Sequence, residues 1–181
     1  GGMSCINLLI SDHHHRAAPG GSGGVKAIGN YAPGMMPSKN AKAAGYAEVI
    51  YLDAEEHKYV EEVGAANFFC LKDGVLYTPE LTGTILPGIT RDSIIRLARH
   101  MGYEVIEEKV DAEFAMSAEE AFCCGTAAVI SPIGSITKGE VKATYGNQKP
   151  GPVTEKLYNH LVGIQNETEE DIFGWLHEVP L

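Results

Sequence analysis

The 181 residues carry a formal net charge of −10, with 44% hydrophobic and 21% charged side chains. That is enough apolar material for one domain with a sizeable core, and two full domains would be a squeeze. The acidic balance, with no clustered basic face, excludes a surface that must neutralise nucleic-acid phosphates. No apolar run approaches the roughly 20 residues of a membrane span.

The chain opens on Gly-Gly-Met-Ser with no charged region leading into an apolar one, so no signal peptide is read and a soluble, intracellular protein is expected. Ile6 to Ile10 is an apolar run long enough for one strand, with no partner strand before it, so the fold is expected to start midway. His13, His14 and His15 follow. Neighbouring histidines point in different directions on most backbones and no acidic or cysteine partner has ligand spacing, so a solvated loop is expected and no metal.

Pro37 to Ala44 has the alanines and lysines of a helix stopped by Gly45, and Val49 to Leu52 reads as a short strand. Asn67 to Lys72 and Val75 to Thr78 flank Asp73-Gly74, a strong signal for a hairpin with a two-residue turn. After Pro87-Gly88, Thr90 is placed as an N-cap. Ile94, Ile95, Leu97, Ala98 and Met101 then form the apolar stripe of a helix ending at Gly102.

Tyr103 to Val110 reads as a strand and Asp111 to Met116 as a short helical turn. Ala127 to Ile136 reads as β-structure bent by Pro132 and Gly134, and Pro152 to Ile164 as the last helix. Cys5, Cys70, Cys123 and Cys124 lack C-x-x-C spacing, and the adjacent pair is badly placed to bond with itself, so free buried thiols are expected. With no repeat or clean linker, one mixed α/β domain over residues 1–181 is the economical reading.

Chemistry concentrates at Gly-Gly-Ser-Gly-Gly-Val-Lys-Ala-Ile-Gly-Asn-Tyr, residues 20 to 31. A lysine behind a flexible glycine run, with a tyrosine five residues on, presents an amine at a pocket mouth beside a phenol that can tune it, as a Schiff-base enzyme requires. A phosphate-cradling P-loop would need glycine immediately before the lysine and Ser or Thr after it, where Val25 and Ala27 stand. A nucleotide-binding module is the reading that this motif leaves behind.

Three further stretches have to be explained with it: Val-Glu-Glu-Val-Gly-Ala-Ala-Asn-Phe (60 to 68), Gly-Thr-Ile-Leu-Pro-Gly-Ile-Thr-Arg-Asp (83 to 92) and Cys-Gly-Thr-Ala-Ala-Val-Ile-Ser-Pro (124 to 132). In this order and spacing the four resemble the fold-type IV pyridoxal-phosphate enzymes, and most closely the branched-chain amino acid aminotransferases, from about Arg16 through Trp175. Glu62-Val63-Gly64 and the closing Gly174-Trp175-Leu176-His177 favour that branch over D-amino acid aminotransferases and aminodeoxychorismate lyases.

The resemblance implies pyridoxal 5′-phosphate as cofactor and Lys26 as its Schiff-base lysine and as the general acid/base of the proton transfer. It implies Tyr31 beside the cofactor's phenolic oxygen and Glu62 paired with the pyridine nitrogen, Glu61 being the competing carboxylate left to a solvated face. Leu86 would pack on the ring. Ile89 and Thr90, opening a helix, would offer backbone N–H groups to the phosphate, with Thr126 adding a hydroxyl. The small turn Thr126-Ala127-Ala128 would approach the substrate carboxylate. The implied reaction moves the amino group of leucine, isoleucine or valine to 2-oxoglutarate, in a homodimer.

Family members also place a smaller domain before the lysine segment, which supplies an arginine to the phosphate and much of the substrate pocket. Neither is found here, so the chain is read as the C-terminal, cofactor-binding domain alone, of low activity. A catalytically silent folded or dimerising fragment is the alternative. A redox C-x-x-C after the Gly-Thr-Ala turn, carried by some members, is absent, so thiol regulation of that type is not expected.

Overall fold

A computed structural model describes residues 3–180. Ten strands and four α-helices follow in chain order: β1 Ile6–Ile10, α1 Met35–Ala43, β2 Glu48–Leu52, β3 Tyr59–Val63, β4 Ala66–Lys72, β5 Val75–Pro79, α2 Ile89–His100, β6 Glu104–Glu108, β7 Val110–Asp111, α3 Ala112–Met116, β8 Glu120–Gly125, β9 Val129–Lys138, β10 Val141–Thr144 and α4 Pro152–Gln165. No helix among the described residues is long and apolar enough to cross a membrane.

The strands run β6-β5-β4-β8-β9-β1-β2-β3-β7, and an additional pairing of β3 with β4 joins the path to itself. Strands β4, β8, β9, β1, β2 and β3 therefore pair in a ring, which leaves none of the six with a bare edge along its whole length. β1 lies parallel to both β2 and β9, so its partners all come from later in the chain.

Most of the burial divides into two cores on the two sides of this ring, beside a small third cluster of Ala41, Val49 and Tyr51. One holds Leu8, Ile10, Ile50, Phe68, Cys123 and Ile136. The other holds Phe69, Phe122, Ile94, Leu97, Leu157 and Leu161, where α2 and α4 pack on the sheet. Phe69 and Phe122 face each other across β4 and β8 and stack with centroids 5.0 Å apart. Each fully buried aromatic of this kind contributes about 1.5–3 kcal/mol. Because side chains alternate along a strand, Cys123 and Cys124 fall in opposite cores, and all four cysteines are free.

The Asp73-Gly74 turn forms as expected, closing β4 onto β5 with both residues left-handed (φ 50° and 78°). Other expectations need correction. Gly88, not Thr90, is the N-cap of α2, and no side chain caps this end. Gly88 fits because Asn67 Oδ1 lies where any Cβ at this position would stand. The expected Tyr103–Val110 strand is two, β6 and β7, and the bend in β9 is a register shift against β1 in which Gly134 is passed over. Strands β3, β8 and β10 had no strand signal. β3, with Glu61 and Glu62, and β8, which opens on Glu120, are almost wholly buried, so neither shows polar and apolar residues in alternation.

Candidate active site

Lys26 sits on a loop that other side chains hold rigid. The Asn30 side-chain amide donates to the carbonyls of Ser22 and Val25, both at 2.7 Å, and the Ser22 hydroxyl donates to Asn30 Oδ1. Gly23 packs so closely on the chain at residue 84 that a Cβ there would collide with the Thr84 carbonyl oxygen. The glycine run is thus a clamped loop, and the exposed Lys26 is carried at a fixed place on it. Its Nζ lies 5.9 Å from the centre of the Tyr31 ring.

Lys26 opens into a cavity of about 420 Å³ whose wall includes Thr126, Ala127, Ala128 and Cys123. Tyr31 lines a neighbouring cavity of about 190 Å³, and Glu48 and Ala65 border both. Three residues, Thr126 to Ala128, turn β8 into β9, with Gly125 paired to Val129. Val129 has a φ of 58°, an uncommon conformation for a β-branched residue and one that stores strain at this turn.

Glu62 is only 2% exposed. Strand register places it between Tyr51 on β2 and Asn67 on β4, and Asn67 is in turn opposite Cys124 on β8. Its Oε2 pairs with Arg16 Nε at 2.8 Å and its Oε1 accepts the Leu86 N–H at 2.7 Å. Burial pushes the carboxyl up from 4.5 to about 7, against the downward pull of the Arg16 guanidinium and the Leu86 N–H.

Arg16 was not singled out in the sequence, where it follows three histidines in an irregular stretch. It is buried, and besides Glu62 its Nη2 donates to the carbonyls of Gly23 and Thr84. One guanidinium therefore joins the lysine loop, the Glu62 carboxylate and the segment leading to α2. Two of its three partners, Glu62 and Thr84, lie far away in sequence, so no local pattern announces them.

The expectation that Glu61 is solvated is overturned: it is 6% exposed, and its Oε1 accepts the Thr84 hydroxyl at 2.5 Å. Burial raises its pKa, with the Thr84 hydrogen bond acting the other way. A β3 strand inside the ring has no solvated face to offer.

Leu86 is tied on both sides. Its N–H goes to Glu62, and its carbonyl accepts the Asn67 amide at 2.9 Å. Three residues further on, α2 begins, with Ile89 82% exposed and Thr90 partly exposed. Leu86, Ile89 and Thr90 do not line the Lys26 cavity. The row Glu62–Asn67–Cys124 nonetheless joins them to it, since Asn67 holds the turn before α2 and Cys124 is two residues from Thr126. Of the histidines, His15 turns inward, packing edge-on against His57 at 4.5 Å with Nδ1 3.2 Å from the Leu52 carbonyl. No cluster with the makings of a metal site occurs among the described residues.

Residues 6–136 match the amino-transferase class IV family. The chain belongs to the class IV aminotransferases. It is similar to branched-chain-amino-acid aminotransferase 5, chloroplastic, of Arabidopsis thaliana, with 48% identity over 96% of this chain and 42% of that protein. A probable branched-chain-amino-acid aminotransferase of Staphylococcus epidermidis is 45% identical over 98% of this chain and 51% of its own length. This class IV chain thus spans about half the length of the curated relatives it matches.

Among solved structures, the Escherichia coli branched-chain amino acid aminotransferase superposes with a TM-score of 0.88 at 38% identity, covering 97% of this chain and 56% of that one. The branched-chain amino acid aminotransferase of Thermobaculum terrenum, solved in its PLP-form, superposes with a TM-score of 0.87 at 32% identity, covering 97% and 55%. The mixed α/β expectation and the fold-type IV assignment both hold.

Proposed function

We propose that this chain is the cofactor-binding unit of a branched-chain amino acid aminotransferase, moving the amino group of leucine, isoleucine or valine to 2-oxoglutarate. The observation that carries the reading is the Arg16–Glu62–Leu86 network beside the clamped Lys26 loop. A buried carboxylate held ionisable by a guanidinium suits a basic ring nitrogen, and an exposed amine at a cavity mouth suits an aldehyde. The donor set therefore fits pyridoxal phosphate, with Lys26, Tyr31, Glu62, Leu86, Ile89, Thr90 and Thr126 as the residues that would hold it.

Bound there, the cofactor would supply an aldehyde for amine exchange and a ring that accepts the electron pair left by the α-proton. Lys26 Nζ moves that proton, since among the described residues Lys26 is the only lysine that lines the cavity. The Glu62 carboxylate favours a protonated ring nitrogen, and Arg16 and the Leu86 N–H keep it oriented. Tyr31 adjusts the amine through its phenol. The N–H groups of Ile89 and Thr90 and the Thr126 hydroxyl hold the phosphate, while Thr126, Ala127 and Ala128 leave room for the substrate carboxylate. Tying Leu86 to Glu62 and Asn67 sets the distance between the two ends.

Two further parts belong to the same reading. The 181 residues form one folding unit, supported by the ring of strands shared between both cores. The working enzyme is a homodimer, supported by the exposed apolar side chains Val25, Ile28, Met35 and Met36 around the Lys26 loop.

The test is chemical. The purified protein is incubated with pyridoxal phosphate, reduced with borohydride and mapped by peptide mass spectrometry. Label is expected at Lys26 alone, and label spread over Lys39, Lys42 or Lys72 overturns the assignment. Amino transfer from L-leucine, L-isoleucine and L-valine in preference to D-alanine separates this reading from a D-amino acid enzyme.

A further inference from the structure

We propose that Arg91 is a positioning residue that anchors the first turn of α2 from behind, so that the backbone N–H groups of that turn hold the cofactor's phosphate. The inference rests on the phosphate placement given under Proposed function. It adds a residue whose side chain does not touch the ligand.

Arg91 is the third residue of α2 and is only 4% exposed. Its Nη2 donates to the Pro79 carbonyl at the end of β5 and to Glu107 Oε2 on β6, both at 2.9 Å. Its Nε is also buried and has no hydrogen-bond partner among the described residues. A buried guanidinium with one nitrogen unsatisfied is costly.

The first turn itself shows what needs anchoring. The first N–H bonded within the helix is that of Asp92, to the Gly88 carbonyl. The N–H groups of Ile89, Thr90 and Arg91 donate to nothing among the described residues, as at any helix start. Ahead of them, Asn67 and Glu62 fix Leu86. Behind them, Arg91 alone links the turn by a side chain to β5 and β6, while its neighbours Ile89 and Thr90 face outward.

On the far side of Asn67 from the α2 turn lies Cys124, opposite it on β8. Burial raises the Cys124 thiol strongly, and Arg91 is near enough to lower it in part. Cys124 immediately precedes the Gly125-Thr126 turn. Arg91 thus sets the position of the α2 N–H groups through its bonds to β5 and β6.

Dissociation constants of pyridoxal phosphate and of pyridoxal, which lacks the phosphate, are measured by absorbance for the wild type, Arg91→Lys and Arg91→Met. The ratio of the two constants reads the phosphate alone. Arg91→Met is expected to cut the wild-type ratio about tenfold and Arg91→Lys a few-fold, with pyridoxal affinity little changed. Should Arg91→Met not fold, Arg91→Lys carries the test. An unchanged ratio in the folded variants, or equal losses for both ligands, overturns the proposal. A wild-type ratio near one overturns it differently, because the phosphate then lies elsewhere and the placement itself has failed.

Discussion

At the Glu62 end of the site every polar partner is already in place, whereas at the Lys26 end almost nothing touches the reactive groups. Glu62 is gripped by Arg16 and the Leu86 N–H inside the protein, while Lys26, Thr126, Ala127 and Ala128 are exposed. The difference matches what the proposed reading asks of each end. A carboxylate that stabilises charge on a ring acts only if its orientation is fixed before reaction and water is excluded. An amine that binds a cofactor, releases it and then moves a proton has to stay mobile at its tip, so the protein fixes its loop through Asn30 and leaves the Nζ unencumbered.

The largest effect should come from the mobile end. Lys26→Ala is expected to abolish borohydride-fixed label and to lower amino transfer by several orders of magnitude. The urea midpoint should stay unchanged, because the side chain is exposed. A variant that loses activity only in proportion to lost folding would place Lys26 outside the chemistry.

Next is the fixed end. Glu62→Gln should slow exchange of the leucine α-proton by about two to three orders of magnitude, the usual loss when a preorganised charge is removed from a desolvated site. Glu61→Gln, one residue away and bonded to Thr84 rather than Arg16, should lose less than about tenfold. Equal losses at both positions would mean that the ring nitrogen is served by neither or by both.

The same contrast decides how much was legible beforehand. Lys26 was singled out by a local event, a residue behind a glycine run, whereas Thr126 came only with the family's motifs and the start of α2 was read two residues late, at Thr90 instead of Gly88. Glu62 needed the family's spacing, since β3 shows a buried strand with two carboxylates and no alternation. Arg16, Asn67 and Asn30 were missed as site residues because their meaning lies in tertiary hydrogen bonds, such as Asn67 to Leu86 across 19 positions. The solvated role expected for Glu61 failed for the same reason: ring closure by the β3–β4 pairing is invisible in a single strand.

Arg16→Met tests whether the fixed end is held as tightly as its geometry implies. It strips Glu62 of its cation and leaves two carbonyls, those of Gly23 and Thr84, without a donor. Removing one partner of a buried pair costs about 3–5 kcal/mol. The low end is expected, because Glu62 can take up a proton. Urea unfolding measures it, and a change below about 1 kcal/mol would show that the pair is dispensable to the fold.

The smallest expected effect is a pH dependence with a definite sign. The Glu62 carboxyl is raised from 4.5 to about 7, chiefly by burial. A folded-state value above the unfolded one means that the folded protein holds the extra proton between those limits. This group therefore stabilises fully below 4.5, and its contribution is lost as the pH rises through about 7. At about 1.4 kcal/mol per unit, the loss is on the order of 3 kcal/mol. Asp53, Asp111 and Asp171 are lowered instead and act in the opposite sense, losing their contribution as the pH falls. The wild-type curve mixes both, so the informative quantity is wild type minus Glu62→Gln, in which the aspartates cancel. That difference should shrink by the stated amount between pH 4.5 and 7. A flat difference would mean that Arg16 outweighs burial and keeps Glu62 ionised throughout, making the fixed end a permanent ion pair rather than a titrating one. With pyridoxal phosphate bound, a protonated nitrogen beside Glu62 favours the carboxylate, so the fall should move to lower pH.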